Sequence, residues 1–353
     1  MYLAVKEIKH EKLRYSLIIA MVILISYLIF VLTSLALGLA KENTSAIDSW
    51  NFNKIVLNKD ADINLRQSLL TKEQTEAFKT DKKIAFLGQA NIVVKEKTHP
   101  QVSATFIGIK PDQFLYQELE VSAGKKPTRA DQVIVDSSFE NKGYHLNDKI
   151  YFNSQEKPYQ IVGFTKNAML NVTPVVYGQL EAWSALKNIT PNFSASALLT
   201  KETPKEALAP ELKAYSKQEL IEQLPGYEAQ NKTFTFMIAF LMIISLIVIA
   251  VFLYIITIQK LPNYAVLRVQ GISKKVLIEN TVSQAILLVL AGLCGGSLLT
   301  GLTALFIPAS VPMAFDLKLL SLMALLLLLI SILGSFVSAN TIAKIDPTKV
   351  LGN

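Results

Sequence analysis

The chain has 353 residues, of which 51% are hydrophobic and 18% charged, with a formal net charge of +7. That is too apolar and too sparsely charged for an ordinary soluble domain, and the cations cluster at the ends of apolar runs without interleaved aromatics, which argues against a nucleic-acid interface. The one cysteine, Cys294, lies inside an apolar run, so no disulfide framework is available.

Four apolar runs, 15–40, 233–258, 276–306 and 319–341, meet the requirement of about 20 residues for a hydrocarbon core. Between the first two lies a nearly charge-balanced polar segment, 41–232, long enough to be a domain. The remaining cations mark one side: Lys6, Lys9, Lys12 and Arg14 before the first run, Lys260, Arg268, Lys274 and Lys275 between the second and third, and Lys344 and Lys349 in the tail. Only Lys318 falls on the short loop 307–318. The positive-inside tendency therefore predicts cytoplasmic termini and connector, with 41–232 outside. The predicted fold class is an α-helical integral membrane protein with four transmembrane helices, plus an α+β extracytoplasmic domain inserted between helices 1 and 2.

In chain order, 1–14 sets Tyr2, Leu3, Val5, Ile8 and Leu13 against Lys6, Glu7, Lys9, Glu11 and Lys12. This predicts an amphipathic elbow helix in the membrane interface. The apolar run that follows exceeds the signal-peptide core of about 7–15 residues, so it is read as an uncleaved span. Lys41 to Trp50 is expected to continue that span outward.

In the polar domain, strand patterns occur at 54–57, 83–86, 92–95, 105–109, 132–135, 149–152, 159–164 and 172–177. Helical patterns occur at 71–79, 180–187, 204–215 and 216–224. Strands with segregated helices suggest an α+β module. A second stalk, 219–233, is expected to break at Pro225-Gly226.

In the connector, 259–275, Pro262 can open a helix and Gly271 can close it. The result is a helix of about 13 Å presenting Tyr264, Val266, Leu267 and Arg268. Such a helix can offer an apolar knob to a partner's cleft, or it can be an ordinary basic loop held in the cytoplasm; spacing leaves both open. Ser34 with Gly38, and Gly292 with Gly296 and Gly301, are small residues of the kind that let helices approach closely in lipid.

The apolar runs hold one charged residue, Glu279 in the first turn of the third run, and none deeper, which argues against proton- or ion-coupled transport. No phosphate-binding loop is present, so a nucleotide site must belong to another polypeptide. His10, His99 and His145 are divided between the two sides, and Asp136-Ser137-Ser138 reads as a surface turn. A non-enzymatic subunit is expected, with no catalytic residues and no metal on the protein itself.

Three stretches carry a resemblance. Tyr264 to Val276 (YAVLRVQGISKKV), Gly124 to Phe164 with its GKKP, QVIVD, GYHLND and YQIVGF pieces, and Ala343 to Gly352 (AKIDPTKVLG) resemble the FtsX/MacB-type ABC transporter permeases from end to end. The copy departs from the family at Asn263-Tyr264, where an acidic residue is usual, so no salt bridge to the ATPase is implied there. The resemblance implies a homodimer of four-span subunits above two cytoplasmic ABC ATPase subunits that bind ATP and push on Pro262, Tyr264, Val266, Leu267, Arg268 and Gly271.

The opening LAVKEIKHEKLRY, Ser45 to Trp50, and Tyr254 to Ile272 are most similar to the haem-exporting branch in Gram-positive bacteria and its DevC-like cousins. That implies haem as cargo in a plasma-membrane protein, with no covalent cofactor, and Phe30, Tyr227, Glu228, Met237 and Met242 as candidates for the cargo cleft. Export of an antimicrobial peptide, antibiotic or lipid-linked molecule, or mechanical control of an extracellular partner, remains the alternative.

Overall fold

The computed structural model describes residues 6–8, 10–202, 207–308 and 311–343. The tail from 344 and residues 1–5 and 9 of the predicted elbow helix lie outside these residues; 6–8 are helical, and 12–14 already belong to the first long helix. The chain divides into a helical unit, 1–38 with 231–353, and a sheet unit, 39–230. Its helices are α1 (Lys12–Ser49), α2 (Glu181–Lys187), α3 (Lys217–Glu222), α4 (Tyr227–Gln259), α5 (Leu261–Val269), α6 (Lys274–Phe306) and α7 (Leu317–Ala343), apart from shorter turns.

Four of these, α1, α4, α6 and α7, are long and apolar enough to cross a membrane. A helix satisfies its own backbone polar groups, which lipid cannot do. Inside the helical unit, Tyr15, Val22, Ile29 and Phe30 of α1 pack with Ile249 and Leu253 of α4, Leu288 and Leu293 of α6, and Leu327 of α7.

The sheet unit is built on strands β1 (Lys54–Asn58), β2 (Leu70–Thr71), β3 (Ile84–Lys95), β4 (Val102–Ile109), β5 (Ala123–Gly124), β6 (Gln132–Asp136), β7 (Lys149–Phe152), β8 (Pro158–Thr165), β9 (Met169–Leu170), β10 (Thr173–Gln179), β11 (Phe193–Ala195), β12 (Ala197–Thr200) and β13 (Leu212–Ser216). The main sheet runs β13-β1-β12-β3-β4-β10-β6-β8-β5, with β2 and β11 forming a separate pair. β4 and β10 are parallel, as are β6 and β8; β3 pairs antiparallel with β4 and β12. Alternation along β3 and β4 splits the core into two layers. Phe86, Ile92 and Phe106 face one with Trp183 of α2, while Leu87 and Ile107 face the other with Trp50 and Leu220.

Two expectations are corrected. The helical pattern at 204–215 ends instead in strand β13, because Lys54 to Asn58 of β1 pair with Leu212 to Ser216 along its whole length; residues 203–206 lie outside the described set. The strands expected at 83–86 and 92–95 are one, β3. Gly88 joins them, where a Cβ would collide with the ring of Trp183. Of the other helical patterns, 216–224 contracts to α3, started by a capping box between Ser216 and Glu219.

The end of α1 is held within the sheet unit. Ser45 Oγ accepts from Met169 N (3.0 Å), Asn43 O accepts from Asn171 N (3.0 Å), and Trp50 Nε1 donates to Tyr177 OH (3.0 Å). Burial pushes the Tyr177 phenol up to about 12, so it stays neutral. Tyr177→Phe would leave the buried indole N–H unpaired and should cost about 1–3 kcal/mol. Thermal unfolding of the solubilised chain, followed by tryptophan fluorescence, measures this; an unchanged midpoint would show that the bond does not matter.

Candidate functional site

α4 ends at Gln259 and α5 begins at Leu261, so Lys260 alone joins them. Pro262 occupies the first turn of α5, where its missing N–H costs nothing. The helix closes by a Schellman arrangement: Ile272 N donates to Leu267 O and Gly271 N to Arg268 O, both at 3.1 Å. Gly271 takes φ +92°, a left-handed conformation that a side chain would strain. Arg268 Nη1 spans the same turn to Ile272 O at 3.2 Å.

The two sides of α5 differ. Tyr264 and Ala265 are buried against Leu277 of α6 and Ile342 of α7, with Leu267 half-buried beside them. Burial, then the nearby Glu7 carboxylate, raises the Tyr264 phenol above its ordinary value. Val266 is 42% and Val269 64% exposed, with Pro262, Asn263 and Gln270 also on the surface. The side open to a partner is therefore Pro262, Val266 and Val269, and Tyr264 anchors the helix from behind. Val269 lies at i+3 from Val266, one step beyond the residues singled out from sequence.

The small residues separate in the same way. Gly292 faces Val22 of α1, and Gly296 faces Ser26 and the Tyr27 backbone. Ser26 Oγ donates to Gly292 O (3.2 Å), and Tyr27 OH pairs with Thr303 Oγ1 (2.9 Å). Gly38 instead meets the backbone of Pro312, and Ser34 O accepts from Ala314 N (3.0 Å), so this pair packs on the segment before α7. A Cβ at Gly301 would meet open space. Gly295 against Ile23, and Gly334 against Leu246 and Ala250 of α4, are close approaches that the sequence reading did not select.

The cargo candidates sit in different settings. Phe30 is buried in the helical core, Met242 packs against that core, and Met237 is exposed on α4. Tyr227 and Glu228 belong to the sheet unit, where Tyr227 packs against its second core layer. The sheet unit also contains a cavity of about 310 Å³ lined by Arg66, Gln89, Asn91, Ser103, Thr105 and Asn153 among others. Among the described residues no three His, Cys, Asp or Glu side chains converge as a metal site. Asp136 is occupied structurally, its two oxygens accepting from Ser138 N (2.8 Å) and Ala168 N (3.0 Å).

Residues 235–347, which include α5, match the family described as FtsX-like permease C-terminal. Two Staphylococcus epidermidis proteins, each named as a candidate hemin transport system permease protein HrtB, are 23% identical over 359 residues and align with 100% of this chain and 99% of their own. A Staphylococcus haemolyticus protein of the same name is 24% identical over 354 residues, with the same coverage. Among solved structures, the extracellular domain of the transporter YknZ from Gram-positive bacteria aligns with 46% of this chain and 98% of its own, at 12% identity and TM-score 0.34. The periplasmic region of MacB from Actinobacillus actinomycetemcomitans aligns with 49% and 92%, at 13% identity and TM-score 0.36.

Proposed function

We propose that this chain, an FtsX-like permease, is the membrane subunit of an ATP-driven ABC exporter whose cargo is haem. The observation that supports the coupling role is α5 itself: a short, capped helix inside the FtsX-like stretch, with an apolar side that the described residues leave uncovered. An ATPase on a separate polypeptide would dock there, since this sequence carries no phosphate loop. Two copies of the chain above two ATPases would supply eight spans, with the sheet unit extracellular, the termini cytoplasmic and the whole in the plasma membrane of a Gram-positive bacterium.

In this reading, closure of the ATPases on ATP presses α5, and the long helices α1 and α4 carry the displacement. α1 is 38 residues long and α4 is 33, about 57 and 50 Å at 1.5 Å per residue. Haem export is supported by the three full-length relatives bearing hemin transport names. Haem partitions into lipid, and Met237 and Met242 of α4 are soft side chains that could contact it during passage.

The test is reconstitution. Chain and partner ATPase in liposomes should move haemin across the bilayer only with hydrolysable ATP, and a strain lacking the chain should become haemin-sensitive. Vesicles that hydrolyse ATP but leave haemin in place, from a strain with ordinary haemin tolerance, would remove haem as the cargo. They would leave the ABC role standing.

A further inference from the structure

Lys260 is 6% exposed, a buried ammonium at the junction between α4 and α5. Its Nζ donates to Glu7 Oε2 (3.1 Å) and Tyr15 OH (2.8 Å) and lies 5.3 Å from the centre of the Tyr15 ring. Glu7 Oε2 also accepts from Asn280 Nδ2 (3.3 Å) and from Gln284 Nε2, and Tyr15 OH donates to Gln284 Oε1 (3.2 Å). Lys260 and four further side chains thus form one cluster from four segments, the amino-terminal segment, α1, the junction and α6, with Glu7 and Tyr15 on the cation and Asn280 and Gln284 on those two.

Burying an ammonium is costly unless a counter-ion and hydrogen bonds surround it, and an apolar residue often stabilises such a place as well or better. What the ion pair adds is direction, because only one arrangement of the four segments satisfies it. The backbone already ties the junction to both α4 and α5, Lys260 N donating to Ile256 O (3.2 Å) and Lys260 O accepting from Tyr264 N (2.9 Å), but these bonds follow the chain and hold neither α1 nor α6.

We infer that Lys260 is a positioning residue for coupling, pinning the start of α5 to α1 through Tyr15 and to α6 through Glu7, Asn280 and Gln284. Displacement of α5 then reaches both helices together. The inference rests on the reading of α5 as the ATPase dock.

The experiment uses the full chain with its partner ATPase in liposomes, carrying a fluorophore at Leu146→Cys, an exposed residue of the sheet unit, in a Cys294→Ala background. The signal change on ATP, divided by the hydrolysis rate, measures coupling whatever the cargo. Lys260→Met should retain the ATPase and hydrolyse at a rate within about twofold of wild type, while coupling falls about tenfold, the scale of one lost charge-assisted hydrogen bond. Lys260→Arg should recover most of it.

Glu7→Gln, which preserves shape at a half-buried position, should lower coupling in the same direction and serves if Lys260→Met does not fold. Wild-type coupling in both variants, or hydrolysis and signal falling together with their ratio unchanged, overturns the inference. A wild-type chain that fails to retain the ATPase removes the docking reading instead.

Discussion

Replacing Val266 and Val269 together by Asp should abolish co-purification of the partner ATPase while leaving the chain inserted and its thermal stability unchanged. Both residues are exposed and three apart on α5, so they form one apolar spot that packing among the described residues does not use. Losing a central apolar anchor costs about 2 kcal/mol or more in a protein interface, and a carboxylate in its place adds desolvation. The two positions are neighbours, so their effects are not additive; the expected loss of affinity lies between about 30-fold and a thousandfold.

Tyr264→Ala gives the opposite pattern. Its ring fills the space between α5, α6 and α7, and removing it should cost about 3–5 kcal/mol of stability. Association would then fall only as the chain itself loosens. Wild-type ATPase binding by the double Asp variant would show that α5 is not the dock.

Much of this was legible in the sequence, for identifiable reasons. A span announces itself because lipid demands an unbroken apolar stretch, and four such stretches are helices here. The ends of α5 were marked by Pro262 and Gly271, whose backbone preferences are local. Which side of α5 faces inward was not legible, because that depends on Leu277 and Ile342, the latter almost eighty residues away.

The sheet shows the same division. β12 (ALLT) is buried at all four residues, so it lacks the alternation by which a strand is recognised. The Lys-, Glu- and Ala-rich stretch before β13 has helical composition, but pairing along β1 overrides local preference. The Lys260 cluster was beyond reach for a simpler reason. Glu7 and Lys260 each read as ordinary interfacial charges until the fold brings them together.

Gly296→Leu and Gly301→Leu are the same chemical change five residues apart on one helix, and they should differ sharply. Helices in lipid gain no hydrophobic expulsion from associating, so contact depends on how closely their backbones approach. At Gly296 a Cβ would meet Ser26 and, at 3.1 Å, the Tyr27 backbone nitrogen. A leucine there must separate α1 from α6, straining the Ser26–Gly292 and Tyr27–Thr303 bonds that flank it. Overpacking costs about 1–3 kcal/mol, and each interhelical hydrogen bond adds about 0.6, so a loss of about 2–4 kcal/mol is expected. At Gly301 an added Cβ meets nothing within 4 Å. There the change should be neutral or slightly stabilising, since glycine is about 1 kcal/mol less favourable than alanine within a helix. Denaturant unfolding of the two variants in the same detergent measures the difference. Equal damage at both positions would mean that the α1–α6 seam does not hold the helical unit together, and that the close approach at Gly296 can relax without consequence.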